Sequence, residues 1–212
     1  MDHISGPAKE RLLYILRILE AAGSENRIFT SSELEELCGW SSHTIRKDIS
    51  FLGTEEDGTV GSAAGYASRR LIPRIKEALG LDRRRQFCVV GLGRLGSAYL
   101  NLDGASLGEF ELTAGFDVNV NRVEILRSSV PLYPAYKMGE VIGRLGIEIA
   151  LLCVPAKAAQ ETAEKLAAAG IRGIINFVPR ALVLPDAAKV AVRNVFVTDE
   201  LRALAVKMGC TI

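Results

Sequence analysis

A glycine-rich turn constrains the fold of this chain more tightly than any other feature of its sequence. The run Gly91-Leu-Gly93-Arg-Leu-Gly96 directly follows the apolar stretch Phe87-Cys-Val-Val90 and opens a segment with helical spacing. Gly91 would permit the tight turn, Gly93 would let the backbone approach a pyrophosphate, and Gly96 would let strand and helix pack closely. The alternative is a plain strand-to-helix turn with no ligand. The residues expected to contact a dinucleotide here are Gly91, Gly93, Arg94, Leu95 and Gly96.

An acidic residue at the end of the next apolar stretch supports the dinucleotide interpretation. Residues 112–116 are followed by Asp117, which lies 21 residues after Gly96. A carboxylate at this position can accept hydrogen bonds from the ribose of an adenosine, and it would repel a 2′-phosphate. The pattern therefore favours NADH and NAD+ over their phosphorylated counterparts. The alternative is that Asp117 caps a helix beginning near Asn119.

The spacing of apolar residues changes near residue 86. Before that point helical stripes predict three short helices, the glycine-rich residues 53–66 predict a β-hairpin, and residues 73–79 predict a further helix. After it, predicted strands alternate with predicted helices, which indicates an α/β fold with a doubly wound, mainly parallel sheet. The strands are 87–90, 112–116, 147–154, 173–177 and 190–195, and the helices are 95–102, 120–126, 138–145 and 157–169, with a closing helix over 199–207.

Two further loops fall where the carboxyl ends of these strands should meet. Val154, Pro155 and Ala156 end one predicted strand and would lie near the nicotinamide half of a dinucleotide. Asn176, at the end of another, could hold a carboxamide or could simply tie two loops together.

A helix-turn-helix pattern occupies residues 30–52. Thr30-Ser-Ser32 and Ser41-Ser42 offer caps for two helices, and Gly39 suits the turn between them. Ile45, Ile49 and Leu52 would face the core, so the other face could approach the major groove of DNA. A helical hairpin with a solvated face is the alternative. The residues expected to contact DNA are Ser42, His43, Thr44, Arg46 and Lys47.

Composition narrows the possible classes of protein. The net charge is +1, so any contact with nucleic acid must come from a local patch. No apolar run approaches the roughly 20 residues of a membrane span, which predicts a cytoplasmic protein with no membrane partner. The four cysteines form no CxxC pair and there are two histidines, so no metal site is predicted.

With both halves in view, the chain resembles the Rex family of bacterial redox-sensing transcriptional repressors. The resemblance covers nearly the whole chain and implies a winged helix-turn-helix over residues 1–81, a Rossmann domain over 82–197 and a dimerisation helix over 198–212. It further implies a homodimer that exchanges its last helix, binds palindromic operator DNA and responds to the NADH/NAD+ ratio. The segments that carry it are Ser41-Ser-His-Thr-Ile-Arg-Lys-Asp-Ile-Ser50 with Gly53, Val90-Gly-Leu-Gly-Arg-Leu-Gly-Ser-Ala98, Phe116-Asp117, Val154-Pro-Ala156 with Ala159-Gln160, and Gly170-Ile-Arg-Gly-Ile-Ile-Asn-Phe-Val-Pro179.

The chain departs from the family pattern at several positions. Its wing reads Thr54-Glu-Glu-Asp57, where the family usually has glycines with basic residues, and acidic side chains there would repel phosphate. Arg11 resembles a family arginine that joins an Asp and a Tyr in a polar network, but Phe196-Val197 and Leu102 stand where those partners are expected. The alternative function is therefore a diverged sibling that binds the nucleotide but binds DNA weakly or not at all.

An NAD-dependent oxidoreductase is a less favoured alternative, because hydride-transfer chemistry needs a proton donor or acceptor beside the nicotinamide. No histidine follows His43, and the remaining candidates are Lys137, Lys157 and Cys153. Cys153 falls within an apolar stretch typical of a packing residue. A CoA-binding domain would leave Asp117 without a purpose. The sequence thus predicts a regulatory nucleotide and no catalysis.

Overall fold

The chain forms two compact units, one up to Arg83 and one from Arg84 onwards. The computed structural model describes residues 4–23, 26–55, 58–59, 61–62, 65–102, 104–185 and 189–209. None of the helices within these ranges is both long and apolar enough to cross a membrane.

The first unit is built from four helices and short strands. Its elements are α1 (Gly6–Ala21), β1 (Ile28–Phe29), α2 (Ser31–Cys38), α3 (Ser42–Ser50), β2 (Thr54–Glu55), β3 (Gly58–Thr59), β4 (Gly61–Ser62), β5 (Gly65–Ala67) and α4 (Ser68–Leu79). The strands form a β2-β3 ladder and a three-stranded sheet in the order β1-β5-β4, all antiparallel. The helices with this small sheet make a winged helix-turn-helix, as the family resemblance implied.

Side-chain caps fix the limits of α2 and α3. Thr30 accepts a hydrogen bond from the backbone of Glu33, whose side chain accepts one from the Thr30 backbone in return, so α2 begins with a capping box. Gly39 ends α2 in the left-handed conformation, with φ at 76°, which favours glycine. Ser41 then caps α3 through the backbone of Thr44. Capping thus sets the turn between the two helices.

One sequence prediction for this unit needs correction, and one strand was not predicted. The helix predicted over 73–79 begins at Ser68 and contains Pro73, because Leu71 and Ile75 bury the same face and Ser68 is tied to the carbonyl of Arg27. The strand β1 was not predicted, since two residues give too short a pattern to recognise. Helix α4 packs against α1 in the core of this unit, which contains Leu12, Ile15, Leu16, Leu19, Phe29, Leu34, Ile45, Ile49, Leu71 and Ile75.

The second unit is a six-stranded parallel sheet flanked by helices. Its elements are β6 (Arg85–Val90), α5 (Arg94–Tyr99), β7 (Phe110–Asp117), α6 (Val120–Ile125), β8 (Leu132–Pro134), α7 (Met138–Leu145), β9 (Ile149–Leu152), α8 (Ala156–Ala168), β10 (Gly173–Asn176), β11 (Ala191–Asn194) and α9 (Val197–Gly209). The strand order is β11-β10-β9-β6-β7-β8, with every pair parallel. This is the doubly wound Rossmann arrangement that the sequence predicted.

The predicted strands and helices of this unit are present, with limits shifted by a few residues. The strand predicted over 147–154 is shorter in the structure and ends at Leu152, because the chain turns into the loop before α8. The strand β8 was missed, since three residues that include Pro134 give no apolar run.

The two faces of the sheet are covered unequally. One face packs against α7 and α8 in a large buried cluster that includes Phe116, Ile142 and Leu166. The other face has a smaller cluster and leaves an open apolar groove of about 470 Å³ between strands β6, β9, β10 and β11 and the segment after α5. Leu102 lies in the lining of this groove. Among the described residues none of α9 is buried, and its apolar side chains Leu201 and Leu204 are more than half exposed.

Candidate functional site

A cleft of about 1170 Å³ lies at the carboxyl edge of the sheet, where the strand order reverses between β6 and β9. The glycine-rich turn after β6 forms its floor. Gly91 has φ at 91°, and a Cβ there would lie 2.7 Å from the carbonyl oxygen of Cys153. A Cβ on Gly96 would collide with the carbonyl oxygen of Gly91. These two glycines are therefore required by the packing of the turn itself.

Gly93 differs from its two neighbours in the motif. Its backbone is extended, with φ at −67° and ψ at −165°, and a Cβ there would meet no atom of the described residues within 4 Å. Neither the backbone dihedral angles nor the packing of the described residues requires a glycine at this position. The free space above Gly93 opens into the cleft, where a bound group could approach the backbone closely.

Asp117 closes the cleft at the end of β7 and is 4% exposed. Its Oδ2 accepts hydrogen bonds from the backbone N–H of Leu92, at 2.7 Å, and from Nη1 of Arg122, at 3.0 Å. Its Oδ1 accepts one from the backbone N–H of Asn119, at 2.8 Å. The carboxylate therefore ties the glycine-rich turn to the start of α6. The capping residue of α6 is Asn119, whose side chain accepts from the backbone of Arg122.

The mouth of the cleft presents exposed side chains that the sequence analysis did not single out. Arg122 is 42% exposed, although its guanidinium is held by Asp117. Val118 and Tyr136 are 86% and 79% exposed, and both line the cleft. The signal for Arg122 was its place in the first turn of the helix after Asp117, five positions from that carboxylate. A purine base could pack against the two exposed apolar side chains.

The loop after β9 forms the opposite wall. Cys153, Val154 and Pro155 line the cleft, and the backbone N–H of Cys153 donates to the carbonyl of Val90, at 2.8 Å. Burial raises the pKa of the Cys153 thiol to about 11, so it stays protonated at neutral pH. A protonated, half-buried thiol is a poor nucleophile. The wall is thus suited to packing against a ligand.

The ten residues predicted to contact the nucleotide divide into those that line the cleft and those that do not. Gly91, Gly93, Asp117, Val154 and Pro155 line it, and Gly96 is buried beneath the turn. Arg94 and Leu95 are exposed in the first turn of α5, and Ala156 is exposed at the start of α8. Lys137 and Lys157, the other groups considered for proton transfer, are outside the described lining.

Asn176 is not brought to the cleft. It is fully buried, and its Nδ2 donates to the carbonyl of Arg180, at 2.8 Å, and to Oδ1 of Asn194, at 2.9 Å. Its Oδ1 accepts from the backbone N–H of Val178. Both amide hydrogens are used inside the chain, which favours the loop-tying interpretation over one in which Asn176 holds a carboxamide.

The helix α3 presents a second candidate surface in the first unit. His43, Arg46 and Lys47 are exposed on one face, while Ile45, Asp48 and Ile49 are buried on the other. Within the part of the chain that the structure describes, neither Arg46 nor Lys47 makes an ion pair. Ser42 and Thr44 are half-buried at the helix start, where the Thr44 hydroxyl lies 2.9 Å from that of Ser41. The exposed cations are therefore available to an anionic partner.

Arg11 anchors α3 from below. Its Nε and Nη2 donate to the two carboxylate oxygens of Asp48, at 2.5 and 2.8 Å, and Asp48 is 1% exposed. This hydrogen bonding raises the pKa of the Arg11 guanidinium. The arginine that the family resemblance assigned to a polar network thus has a partner within its own unit.

Other positions at which the sequence differs from the Rex family pattern lie in the wing and just before α9. In the wing, Glu56 and Asp57 lie outside the described residues, as does the side chain of Glu55. Phe196 is half-buried just before α9 and its carbonyl accepts from the backbone of Asp199, whereas Val197 is 72% exposed.

Two family models match the chain, one in each unit. The model described as "CoA binding domain" matches residues 82–180, which include the glycine-rich turn, Asp117 and the loop after β9. The model described as "Putative DNA-binding protein N-terminus" matches residues 3–50, which end with α3.

Proteins of known function resemble the chain over most of its length. The redox-sensing transcriptional repressor Rex of Thermus thermophilus is 44% identical over 191 residues, which cover 89% of this chain and 86% of that protein. The redox-sensing transcriptional repressor Rex of Lactobacillus gasseri is 33% identical and covers 96% of this chain and 94% of that protein.

Solved structures give the same result for the fold. RSP, a Rex-family repressor, is 30% identical and superposes with a TM-score of 0.80 over 98% of this chain and 95% of that chain. The complex of RSP with beta-NAD+ and operator DNA has a TM-score of 0.82, and its complex with beta-NADH has a TM-score of 0.81.

Proposed function

Since the chain belongs to the Rex family of redox-sensing transcriptional repressors, we propose that it represses transcription as a homodimer on palindromic operator DNA and responds to the NADH/NAD+ ratio. One observation carries the proposal. The same chain has a basic, unpaired face on α3 and, in its other unit, a dinucleotide cleft in which Gly93 is left open.

The face of α3 fits the major groove by its shape and charge. An exposed guanidinium such as that of Arg46 can bind the O6 and N7 atoms of guanine in a bidentate way. The exposed ammonium of Lys47 is suited to a phosphate. His43 would lie beside them at helical spacing. Operator DNA would thus be read by α3, and DNA binding would place the protein in the bacterial cytoplasm.

The cleft fits NADH or NAD+ by its floor and its walls. A pyrophosphate would rest against the backbone at Gly93, the adenosine ribose would lie towards Asp117, and the nicotinamide would lie towards Val154 and Pro155. The cleft thus offers contacts along the whole length of a dinucleotide. With Cys153 protonated and no histidine after His43, the ligand would serve as a signal, and we propose no catalysis.

The homodimer is proposed because a single chain leaves apolar side chains of α9 exposed to solvent. Leu201, Leu204 and Met208 on α9 are 60%, 52% and 72% exposed. Removing a row of such side chains from water would contribute several kcal/mol, at about 1.5–3 kcal/mol for each fully buried residue. A second copy can supply the missing surface by exchange of α9 under two-fold symmetry.

Fluorescence anisotropy on a labelled palindromic duplex tests the proposal. Addition of NADH is expected to change the affinity of the protein for the duplex by a different factor than addition of NAD+. Equal effects of the two nucleotides would contradict redox sensing. Binding of NADH without binding of any duplex would support the diverged sibling in place of the repressor.

A further inference from the structure

The carboxylate of Asp117 has little room for a ribose. A carboxylate offers about four lone-pair positions to donors. Three donors already use them: the backbone N–H groups of Leu92 and Asn119, and Nη1 of Arg122. The Asp117 carboxylate therefore has one lone pair left for the two hydroxyls of an adenosine ribose. Both hydroxyls can bind it only if one of the three present donors moves away.

Arg122 is the donor that can move. The N–H groups of Leu92 and Asn119 are fixed by the turn after β6 and by the start of α6. The Arg122 side chain is 42% exposed and ends a flexible stem at the mouth of the cleft, whereas Asp117 is 4% exposed. The Arg122 guanidinium is thus the group that would move when a ligand approaches Asp117.

The charge at this end of the cleft is balanced. Repulsion of a 2′-phosphate requires an uncompensated carboxylate, but the guanidinium lies 3.0 Å from Oδ2 and offsets its field. The other cation of the described lining, Lys165, pairs with Glu161. Lys165 also lies nine residues along α8 from Ala156, about 14 Å at the rise of a helix. Arg122 is therefore the cation placed to meet an anion at the ribose.

From this arrangement we propose that Arg122 determines nucleotide specificity by making the ribose end of the cleft accept a 2′-phosphate, so that NADPH is a second, weaker ligand. The inference rests on the proposed nucleotide-binding function and refines it. A guanidinium has five N–H donors and binds phosphate through charge-assisted, often bidentate hydrogen bonds, so Arg122 can turn towards the phosphate of NADPH while it remains beside the Asp117 carboxylate. With NADH it stays on Asp117 and competes with the ribose hydroxyls.

The replacement Arg122→Gln gives opposite changes for the two nucleotides. NADPH loses its phosphate partner and meets an unbalanced carboxylate, so its affinity should fall about 10-fold or more. NADH gains access to the freed lone pair on Oδ2, so its affinity should rise about 3-fold. Arg122→Lys keeps the charge and should restore most of the NADPH affinity.

The measurement is isothermal titration calorimetry of the full chain with NADH and with NADPH, over a salt series. Arg144→Gln is the matched control, because the Arg144 side chain is 55% exposed against 42% for Arg122, pairs with Glu140 on α7 and is outside the described lining of the cleft. It should leave both affinities within about 2-fold. In the wild type the NADPH affinity should fall more steeply with salt than the NADH affinity, and this difference should vanish or reverse in Arg122→Gln, where salt screens the repulsion between the phosphate and Asp117.

Three outcomes would overturn the inference, and they differ in what else they affect. If the wild type binds NADH but not NADPH, or if Arg122→Gln weakens both nucleotides equally, Arg122 does not set specificity and the proposed function stands. If the wild type binds neither nucleotide, the proposed function falls together with the inference. Equal unfolding temperatures of wild type and Arg122→Gln would show that the variant is folded.

Discussion

Arg11 on α1 and Asp48 on α3 meet through two hydrogen bonds, at 2.5 and 2.8 Å, beneath the exposed face of α3. Asp48 is 1% exposed, so without Arg11 it would be a charge with no partner in a nearly dry site. The pair therefore fixes α3 on the body of its unit. The Arg11 side chain is 25% exposed, and contact with solvent reduces the contribution of this ion pair to the stability of the unit.

We expect Arg11→Ala to lower the free energy of unfolding of the first unit by about 1–3 kcal/mol, because the buried carboxylate of Asp48 loses its charged donor. The single tryptophan, Trp40, lies in this unit and packs edge-on against Tyr14, so its fluorescence in urea reports the unfolding. Arg17→Ala, on the exposed face of α1, is the control and should change the stability by less than about 0.5 kcal/mol. In the double variant with Asp48→Ala, the two losses should not add; additive losses would show that the two residues are not coupled.

The capping box of α2 predicts a dependence on pH. Hydrogen bonds from Arg27 and from the Thr30 backbone lower the pKa of Glu33 from 4.5. A lowered pKa in the folded state means that the ionised form stabilises the fold above pH 4.5 and that this contribution is lost as the pH falls through the folded pKa. Glu33→Gln should therefore be less stable than wild type at pH 7, and the difference should shrink in acid.

Urea unfolding followed by Trp40 fluorescence at pH 7 and pH 3 measures this effect. Glu36→Gln makes the same change of charge on the same helix, at an exposed carboxylate without a hydrogen bond to any described residue. A pH dependence that is the same in both variants would refute a specific role for Glu33.

The open space above Gly93 predicts that a substitution there weakens NADH binding without lowering the stability of the fold. Gly93→Ala should fold, because its Cβ meets nothing within the chain, and it should weaken NADH because the pyrophosphate cannot approach as closely. Gly96→Ala should lose stability, because its Cβ collides with the backbone of Gly91. Gly143→Ala on α7 also has open space and should do neither.

Thermal unfolding and NADH titration of the three glycine variants together give the result. Undiminished NADH affinity in a folded Gly93→Ala protein would mean that the nucleotide does not lie over this turn.

Contact with DNA is expected to depend on Arg46. Loss of a bidentate contact to guanine in Arg46→Ala should cost about 1–3 kcal/mol at each half-site of a palindrome and should relax its sequence preference. Lys47→Ala should weaken all duplexes alike and reduce the salt dependence by about one counterion at each half-site. Anisotropy over a salt series measures both, with Arg17→Ala as the control for charge. If Arg46→Ala leaves the preferred duplex unchanged, α3 is not the recognition helix.

Removal of α9 is expected to abolish the proposed homodimer. A chain ending at Asn194 keeps β11 and the whole sheet but lacks the exposed apolar side chains of α9. Sedimentation should then show monomers or aggregates in place of dimers. A milder variant, Leu201→Asp with Leu204→Asp in the full chain, should weaken the dimer without shortening the protein. A compact dimer formed by the shortened chain would contradict exchange of α9.

The sequence predicted the fold where one local pattern determines one element. Helix α7 begins and ends where its apolar spacing indicated, from Met138 to Leu145. Prediction from the sequence failed where an element depends on distant partners. Helix α4 continues through Pro73 because its buried face packs on α1, and β8 forms because it pairs with β7.

The same limit applies to the cleft. Gly91 and Asp117 could be placed there, since a motif and its spacing specify them. The bonds from Leu92 and Arg122 to Asp117 could not, because they depend on how the turn after β6 meets the start of α6. Asn176 could be placed at the end of its strand, but its partners on two other segments decide that it points inward.

The division of the chain at Arg83 also bears on the order of events during synthesis. The first unit, which ends at Arg83, has a hydrophobic core of its own, so it can fold once that part of the chain has left the ribosome. The central strand β6 must wait for β9, more than sixty residues later, before both of its neighbours exist. Helix α9 emerges later still. If the chain functions as proposed, a nascent chain would display a finished α3 before it can bind a nucleotide or a second copy, and placing two such helices on one operator would be the last property that the newly made protein acquires.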